Sequence, residues 1–271
     1  MTDTESIPDR TTAVQYDYHV HSTYSDGRHL PRMVRAAAEA GLAGVGIADH
    51  CMVTNREVFQ DARRQFGFNL DITYKRRRRA IETLRDRFDI AIYDAVEVDY
   101  HPADEAAIDA FLDRAGFEYS LGSVHTVDDV NLHDETYFAE LSPTERTAVV
   151  DTYFDRVVAL IESDRFDIAA HLDLTERNPA LRGIATTDHY RRVADALVES
   201  RTIPELNAGR ILEEYGAFHP ANEFIELLCA RDVPFVAGSD SHDPGSLADR
   251  VDRLDQRFDD LGVDPTTVSG L

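Results

Sequence analysis

A parallel α/β barrel of about seven strand-then-helix units is the fold that this 271-residue sequence predicts. Three observations predict it. Short apolar segments of β character alternate with amphipathic segments of helical period along the whole chain. No shift of composition splits that alternation into two domains. Polar, metal-ligating residue types recur at the C-terminal ends of the apolar segments, where a barrel builds its active site.

In chain order, Tyr16 to Gly27 (YDYHVHSTYSDG) is a strand that ends in a Ser-Asp-Gly turn. Residues two apart on a strand share a face, so His19 and His21 project side by side. Pro31 opens a helix through Ala40, and Gly41 stands where a C-terminal cap belongs. GVGIADH (44–50) reads as a buried strand, and Cys51 to Phe68 as loop or broken helix. An arginine-rich helix between Ile72 and Phe88 leads to the strand IAIYDAVEVDY (90–100). A helix over Asp104 to Arg114 precedes the strand FEYSLGSVH (117–125), and Pro143 starts a long helix to Ser163. Three units remain: FDIAAHLD with a helix over Asp188 to Ser200, IPELNA with one over Asn222 to Arg231, and VPFVAGSDSH with a terminal helix ending near Leu261. Residues 13–271 are expected to form this one domain. Residues 1–12 carry too little apolar surface to offset the cost of ordering and read as a flexible tail.

Composition narrows the function classes. The chain has 51 acidic and 28 basic residues, a formal net charge of −23, and Lys75 is its single lysine. Such a surface repels nucleic-acid backbones and anionic membranes, and its self-repulsion is screened only in concentrated salt. It resembles proteins adapted to such salt. The one basic run, Lys75 to Arg79, reads as a solvated helix face. No apolar run reaches bilayer length, and MTDTESIPDR is not a signal peptide, so a cytoplasmic protein is expected. Cys51 and Cys229 have neither disulfide-framework nor metal-ligand spacing and read as small core residues.

The polar residues fall into a ring. His19 and His21 end the first strand, His50 the second, Glu97 the third and His125 the fourth; His171, Asn207 and the pair Asp240 and His242 end the last three. One histidine at a strand end is usually a hydrogen-bonded structural residue. Six of the eleven histidines in such places argue for a metal centre. The other five, His29, His101, His133, His189 and His219, fall in loops or helices and carry no such argument.

The segments YDYHVHSTYSDG, GVGIADH, AVEVDY, GSVH, AAHLD and GSDSH resemble, in order, the metal-binding motifs of the polymerase and histidinol-phosphatase (PHP) family. EVDY, HLDLTER and ELNAGR resemble its stand-alone histidinol-phosphatase branch. The resemblance implies a distorted (β/α)7 barrel, and nine metal ligands: His19, His21, Asp26, His50, Glu97, His125, His171, Asp240 and His242. It implies catalysis that depends on Glu97, His171 and Asp240, and hydrolysis of L-histidinol phosphate in histidine biosynthesis. The branch often has histidine where this chain has Asp26; a carboxylate there moves preference toward manganese or iron and away from zinc.

Nine N/O ligands exceed what one ion uses, so two or three divalent ions (Mn, Fe or Zn) are expected, with Glu97 as bridge. Such a cluster suits phosphoester hydrolysis because it acidifies water, grips phosphoryl oxygens and neutralises developing charge. Arginine supplies the second grip through its planar fork. Arg177 after HLDLTE and Arg210 after ELNAG both lie just past strand ends; the sequence favours Arg210 and leaves Arg177 balanced between phosphate contact and surface ion pair. A small phosphorylated substrate is expected as partner, with oligomeric state left open. Three alternatives compete. A phosphoesterase acting on nucleotides or nucleic-acid ends lacks its basic groove and aromatic platform here. A non-catalytic metal-binding subunit would have lost ligands. An amidohydrolase would place a lysine at a strand end.

Overall fold

The computed structural model describes residues 12–271, apart from the side chains at positions 58, 61 and 62; of the expected tail, residues 1–11 lie outside it. The chain runs β1 (Tyr16–Val20), α1 (Leu30–Glu39), β2 (Gly44–Ile47), β3 (His50–Cys51), α2 (Glu57–Phe66), α3 (Leu70–Arg85) and β4 (Ala91–Asp99). It continues through α4 (Glu105–Ala115), β5 (Tyr119–Ser123), β6 (Thr126–Val127), β7 (Val130–Asn131), α5 (Glu135–Glu140) and α6 (Pro143–Glu162). The last part is β8 (Ile168–Ala169), α7 (Thr187–Glu199), β9 (Ile203–Asn207), α8 (Asn222–Cys229), β10 (Val236–Gly238) and α9 (Pro244–Leu261).

Hydrogen-bonded neighbours follow the order β1, β2, β4, β5, β8, β9, β10, all parallel. The short β3 pairs with Glu97 and Val98 of β4, just past the point where β2 leaves it. The sheet then closes on itself: Val20 bridges Ser241, and the His21 amide donates to the Ser241 carbonyl at 3.0 Å. Asp17 staples the same seam by accepting from the Ser239 amide at 2.9 Å. The distorted seven-stranded α/β barrel is therefore as the sequence and the resemblance imply.

Helices cover the outside because each carries one apolar stripe. In α1 that stripe is Leu30, Met33, Val34 and Ala37, behind a proline in the first turn. In α6 it runs from Val149 to Ile161, behind a capping box in which Ser142 and Glu145 satisfy each other's amides. The barrel interior at the N-terminal ends of the strands is filled by Tyr18, Ala95, Tyr119, Leu121, Ile168 and Val236, sealed by Val268 from the C-terminal tail. Tyr119 donates to the Tyr18 carbonyl at 2.7 Å, so even this phenol is satisfied in the apolar floor.

A bulge in β1 decides what faces inward. Asp17 pairs with Val45 and Val20 with Ile47, so β1 spends one residue more than its neighbour over that stretch. Strict alternation would put Tyr18 and His19 on opposite sides. With the extra residue, Tyr18 packs in the floor while His19 and His21 both enter the site above it.

Three local expectations need correction. Residues 51–68, expected as loop or broken helix, do contain a helix, α2, stopped by Gly67 at φ +74°, but the stretch begins with the unexpected strand β3. The β6–β7 hairpin and α5, neither expected, fill the stretch between β5 and α6. The basic run is not a purely solvated face. Lys75, Arg76 and Arg79 are exposed, but Arg77 is fully buried; it bonds Asp49 at 2.9 Å, Asp94 at 2.7 Å and the Ala95 carbonyl. A guanidinium survives there because two carboxylates and a carbonyl take its donors.

Candidate metal centre

The C-terminal strand ends converge on Glu97, which β4 carries fully buried at the centre of the mouth. Its Oε2 lies 3.3 Å from His19 Nε2, 3.6 Å from His21 Nε2 and 2.7 Å from His50 Nδ1. Its Oε1 lies 3.0 Å from His171 Nε2 and 3.5 Å from His125 Nε2. Around this carboxylate three groups have ligand spacing: His19 with His21 and Glu97; His50 with Glu97 and His125; His21 with Asp26, His50 and His242. Asp240 Oδ1 joins the first at 3.3 Å from His21 Nε2. All nine residues expected from the resemblance come together, and Asn207 joins as a support, donating to Glu205 at 3.0 Å.

The donor set fits divalent cations. Glu97 Oε2 is buried with no hydrogen-bond partner although three imidazole nitrogens surround it, which is the condition a shared cation relieves. Glu97 belongs to two of the groups, as do His21 and His50, and it is the only carboxylate so shared. The backbone is bent to this purpose: His171 and Asp240 both sit at positive φ, +27° and +49°. A Cβ on Gly209 would collide with the Asp240 carboxylate, and one on Gly27 would lie 2.5 Å from the His21 carbonyl carbon, so the turns that shape the mouth need glycine.

Charge is tightly coupled here. Burial alone would push Glu97 and Asp240 up, yet the surrounding imidazoles hold both carboxyls well below their ordinary range. Burial would push His50 down, but Glu97 and then Asp26 raise it to about 9. His21, buried between His242 and His50, is driven down to about 3, and burial takes His171 to about 4.

The profile of the PHP domain family matches residues 17–226, well over half of the chain. The chain belongs to the PHP domain family. A Deinococcus radiodurans protein carrying the curated name "Probable histidinol-phosphatase" is 24% identical over 251 residues, 91% of this chain and 93% of that one. The Lactococcus lactis histidinol-phosphatase is 30% identical over 123 residues, 45% of this chain and 43% of its own. The solved structure of histidinol phosphate phosphatase from that organism, complexed with zinc, L-histidinol and phosphate, superposes with a TM-score of 0.68 at 19% identity, over 94% of this chain and 96% of that one. That likeness supports the PHP-type barrel fold. Asp240 and His242 lie past the matched stretch, and the closing seam between β10 and β1 brings them in.

Behind this ring of candidate ligands stand carboxylates that the sequence reading did not name. Glu205, buried on β9, bonds His19 Nδ1 at 2.7 Å and accepts the His171 amide at 3.2 Å. Asp99 bonds His125 Nδ1 at 3.2 Å, and Asp49, itself gripped by Arg77, takes Ser22 and Ser25 of the turn that carries Asp26. Each turns a ring or a loop so that its free atoms face the centre. Period-two spacing in ELNAGR puts Glu205 on the same face as Asn207 but does not show what it serves; Asp49 and Arg77 left no signal at all.

A cleft of about 230 Å³ opens above the ring. Both candidate arginines line it, in different surroundings. Arg177 is nearly buried and donates to Asp240 Oδ2 at 3.1 Å, whereas Arg210 is more exposed and its Nη1 pairs with Glu213. Met52, Phe66 and Phe68 form an apolar wall, with Phe68 4.7 Å from the His50 ring. His133 lines the rim; away from it, His29 precedes α1 without a side-chain cap bond, His101 accepts the Ala103 amide, and His189 completes the capping box of α7 with Thr186. His219 is fully buried and bonded to Arg177. Cys51 is buried and Cys229 half-buried, both free. Among the described residues no helix is long and apolar enough to cross a membrane.

Proposed function

We propose that this PHP-family phosphoesterase is a metal-dependent phosphomonoesterase whose substrate is L-histidinol phosphate, released as L-histidinol and phosphate in histidine biosynthesis. The observation that carries this reading is the orphaned Glu97 oxygen inside a ring of His19, His21, His50, His125, His171 and Asp240, directly beside Arg177. The relatives named histidinol-phosphatase support the choice of substrate.

Two or three divalent ions (Mn, Fe or Zn) would be held by the nine ligands, with Asp26 and His242 at the outer edge. When bound they supply Lewis acidity to the phosphoryl group and to the attacking water. The chain's own residues do the rest. Arg177 and Arg210 flank the cleft and present N–H donors to phosphoryl oxygens, the geometry that a planar fork suits. Met52, Phe66 and Phe68 give the departing alcohol an apolar face on which a planar ring can lie, and exclude water from that side.

Phosphate release by the manganese-loaded protein in high salt tests the reading, with histidinol phosphate, nucleoside monophosphates and oligonucleotides compared. Preference for histidinol phosphate is the expected outcome. Equal or better turnover of nucleotides would transfer the function to the competing nucleotide phosphoesterase class.

A further inference from the structure

We infer that Asp173 and His219 are positioning residues that set the Arg177 guanidinium for the phosphoryl group, an inference that rests on the phosphomonoesterase reading above. His219 lies in the loop between β9 and α8, and Asp173 follows β8; both are fully buried. Asp173 Oδ1 is 2.6 Å from His219 Nδ1, and His219 Nε2 is 3.0 Å from Arg177 Nε. Arginine can only donate, so Nε2 must be the accepting nitrogen. The His219 proton is therefore on Nδ1 and is given to Asp173. One tautomer satisfies the whole line.

The line is itself anchored. Asp173 Oδ2 accepts the Ala221 amide at 2.7 Å. The His219 backbone exchanges two hydrogen bonds with Asn207, at 2.8 and 3.0 Å, and Tyr215 stacks on its ring at 4.8 Å. With Nε held by His219 and Nη2 by Asp240, the plane of the guanidinium is fixed at two points. Among the described residues no protein group is bonded to Nη1, and the side chain lines the cleft. The edge formed by Nη1 and the second Nη2 hydrogen then meets a tetrahedral oxyanion without first giving up rotamer freedom. The short distances come from strands and loops far apart in sequence, which a surface ion pair would not need.

The test uses the manganese-loaded full chain. His219→Asn keeps a donor to Asp173 but cannot reach Arg177, whereas His219→Gln places an acceptor near the Nε2 position. His219→Asn should lower kcat/KM for a phosphomonoester, and the affinity for inorganic phosphate measured by calorimetry, by about ten- to a hundred-fold with metal content unchanged. His219→Gln should recover most of that loss. In an Arg177→Ala background His219→Asn should add nothing, because it acts through the arginine. Asp173→Asn, of nearly the same size, is read through the same cycle and decides the matter if His219→Asn does not fold. An equal loss with and without Arg177 would make the pair merely structural and overturn the inference, as would unaltered phosphate affinity in both variants. If the wild-type chain releases phosphate from no phosphomonoester, the functional reading falls, and the phosphate titration alone still decides this one; no phosphate binding by the wild type overturns it.

Discussion

The two ends of the same barrel obey opposite rules within a few residues of each other. Along β1, Tyr16 and Tyr18 pack near the floor while His19 and His21 stand in the centre above; along β4, Tyr93 and Ala95 give way to Glu97 and Asp99. The floor is apolar, closed by Val268, and its Tyr119 phenol is bonded to the Tyr18 carbonyl. The mouth buries His19, His21, Glu97 and His171 at the same near-zero exposure. Burial at the floor is favourable by the removal of apolar surface from water. Burial at the mouth opposes folding unless charges are paired or a cation is held. The floor makes the barrel stable, and the stable barrel lets the mouth stay strained, with His171 and Asp240 at positive φ.

Glu97→Ala should break this division most sharply. It should abolish binding at two of the three ligand groups and lower activity by on the order of a thousand-fold or more, since outer-shell changes alone cost about ten- to a hundred-fold. Circular dichroism should remain that of the native chain because the floor is intact. Full activity in a metal-free preparation would refute the metal centre. Leu121→Ala, at a fully buried floor position, should have the converse effect: about 2–5 kcal/mol less stability in denaturant unfolding, with metal content per folded chain unchanged. Metal loss without loss of stability would mean that the two ends are not separable.

Glu205→Gln should fall between them. The amide keeps the volume but loses the charge that orients His19, and metal affinity should drop by about ten- to a hundred-fold with little change in melting temperature. An unchanged affinity would show that the His19 ring is held by packing alone.

The smallest effect is on pH dependence. In metal-free protein His50 is raised to about 9, chiefly by Glu97 against the opposing effect of burial. The folded state therefore holds a proton that the unfolded chain releases near pH 6.5. Its stabilisation is fully present below pH 6.5 and is lost as pH rises through about 9. Melting temperature in chelator should fall across that window. In manganese it should stay nearly level, because a bound ion keeps the imidazole unprotonated. Parallel slopes with and without metal would count against His50 as a ligand.

All nine candidate ligands were legible, most from their place at the end of an apolar strand segment and the full set from the family resemblance, and a parallel barrel gathers such ends whatever the helices do. Both arginines were legible as candidates from their places just past strand ends, but their protein partners were not: Asp240 and His219 hold Arg177, and Glu213 pairs with Arg210. His219 carried no local sign of its place, since nothing in AFHPAN marks a buried imidazole.

By itself the sequence determined the strand–helix alternation and the candidates for the ring, because these follow from periodicity, local residue type and the motifs shared with the family. Only the tertiary structure decided which charged residues are buried and what they serve. Arg77 belongs by composition to a solvated run and is buried because Asp49 and Asp94, 28 and 17 residues away in sequence, converge on it. Glu205 turns His19 from 186 residues away, and Asp173 fixes His219 across 46. The energy of a buried charge is set by partners that the chain brings together only when it closes, so no local pattern can announce it.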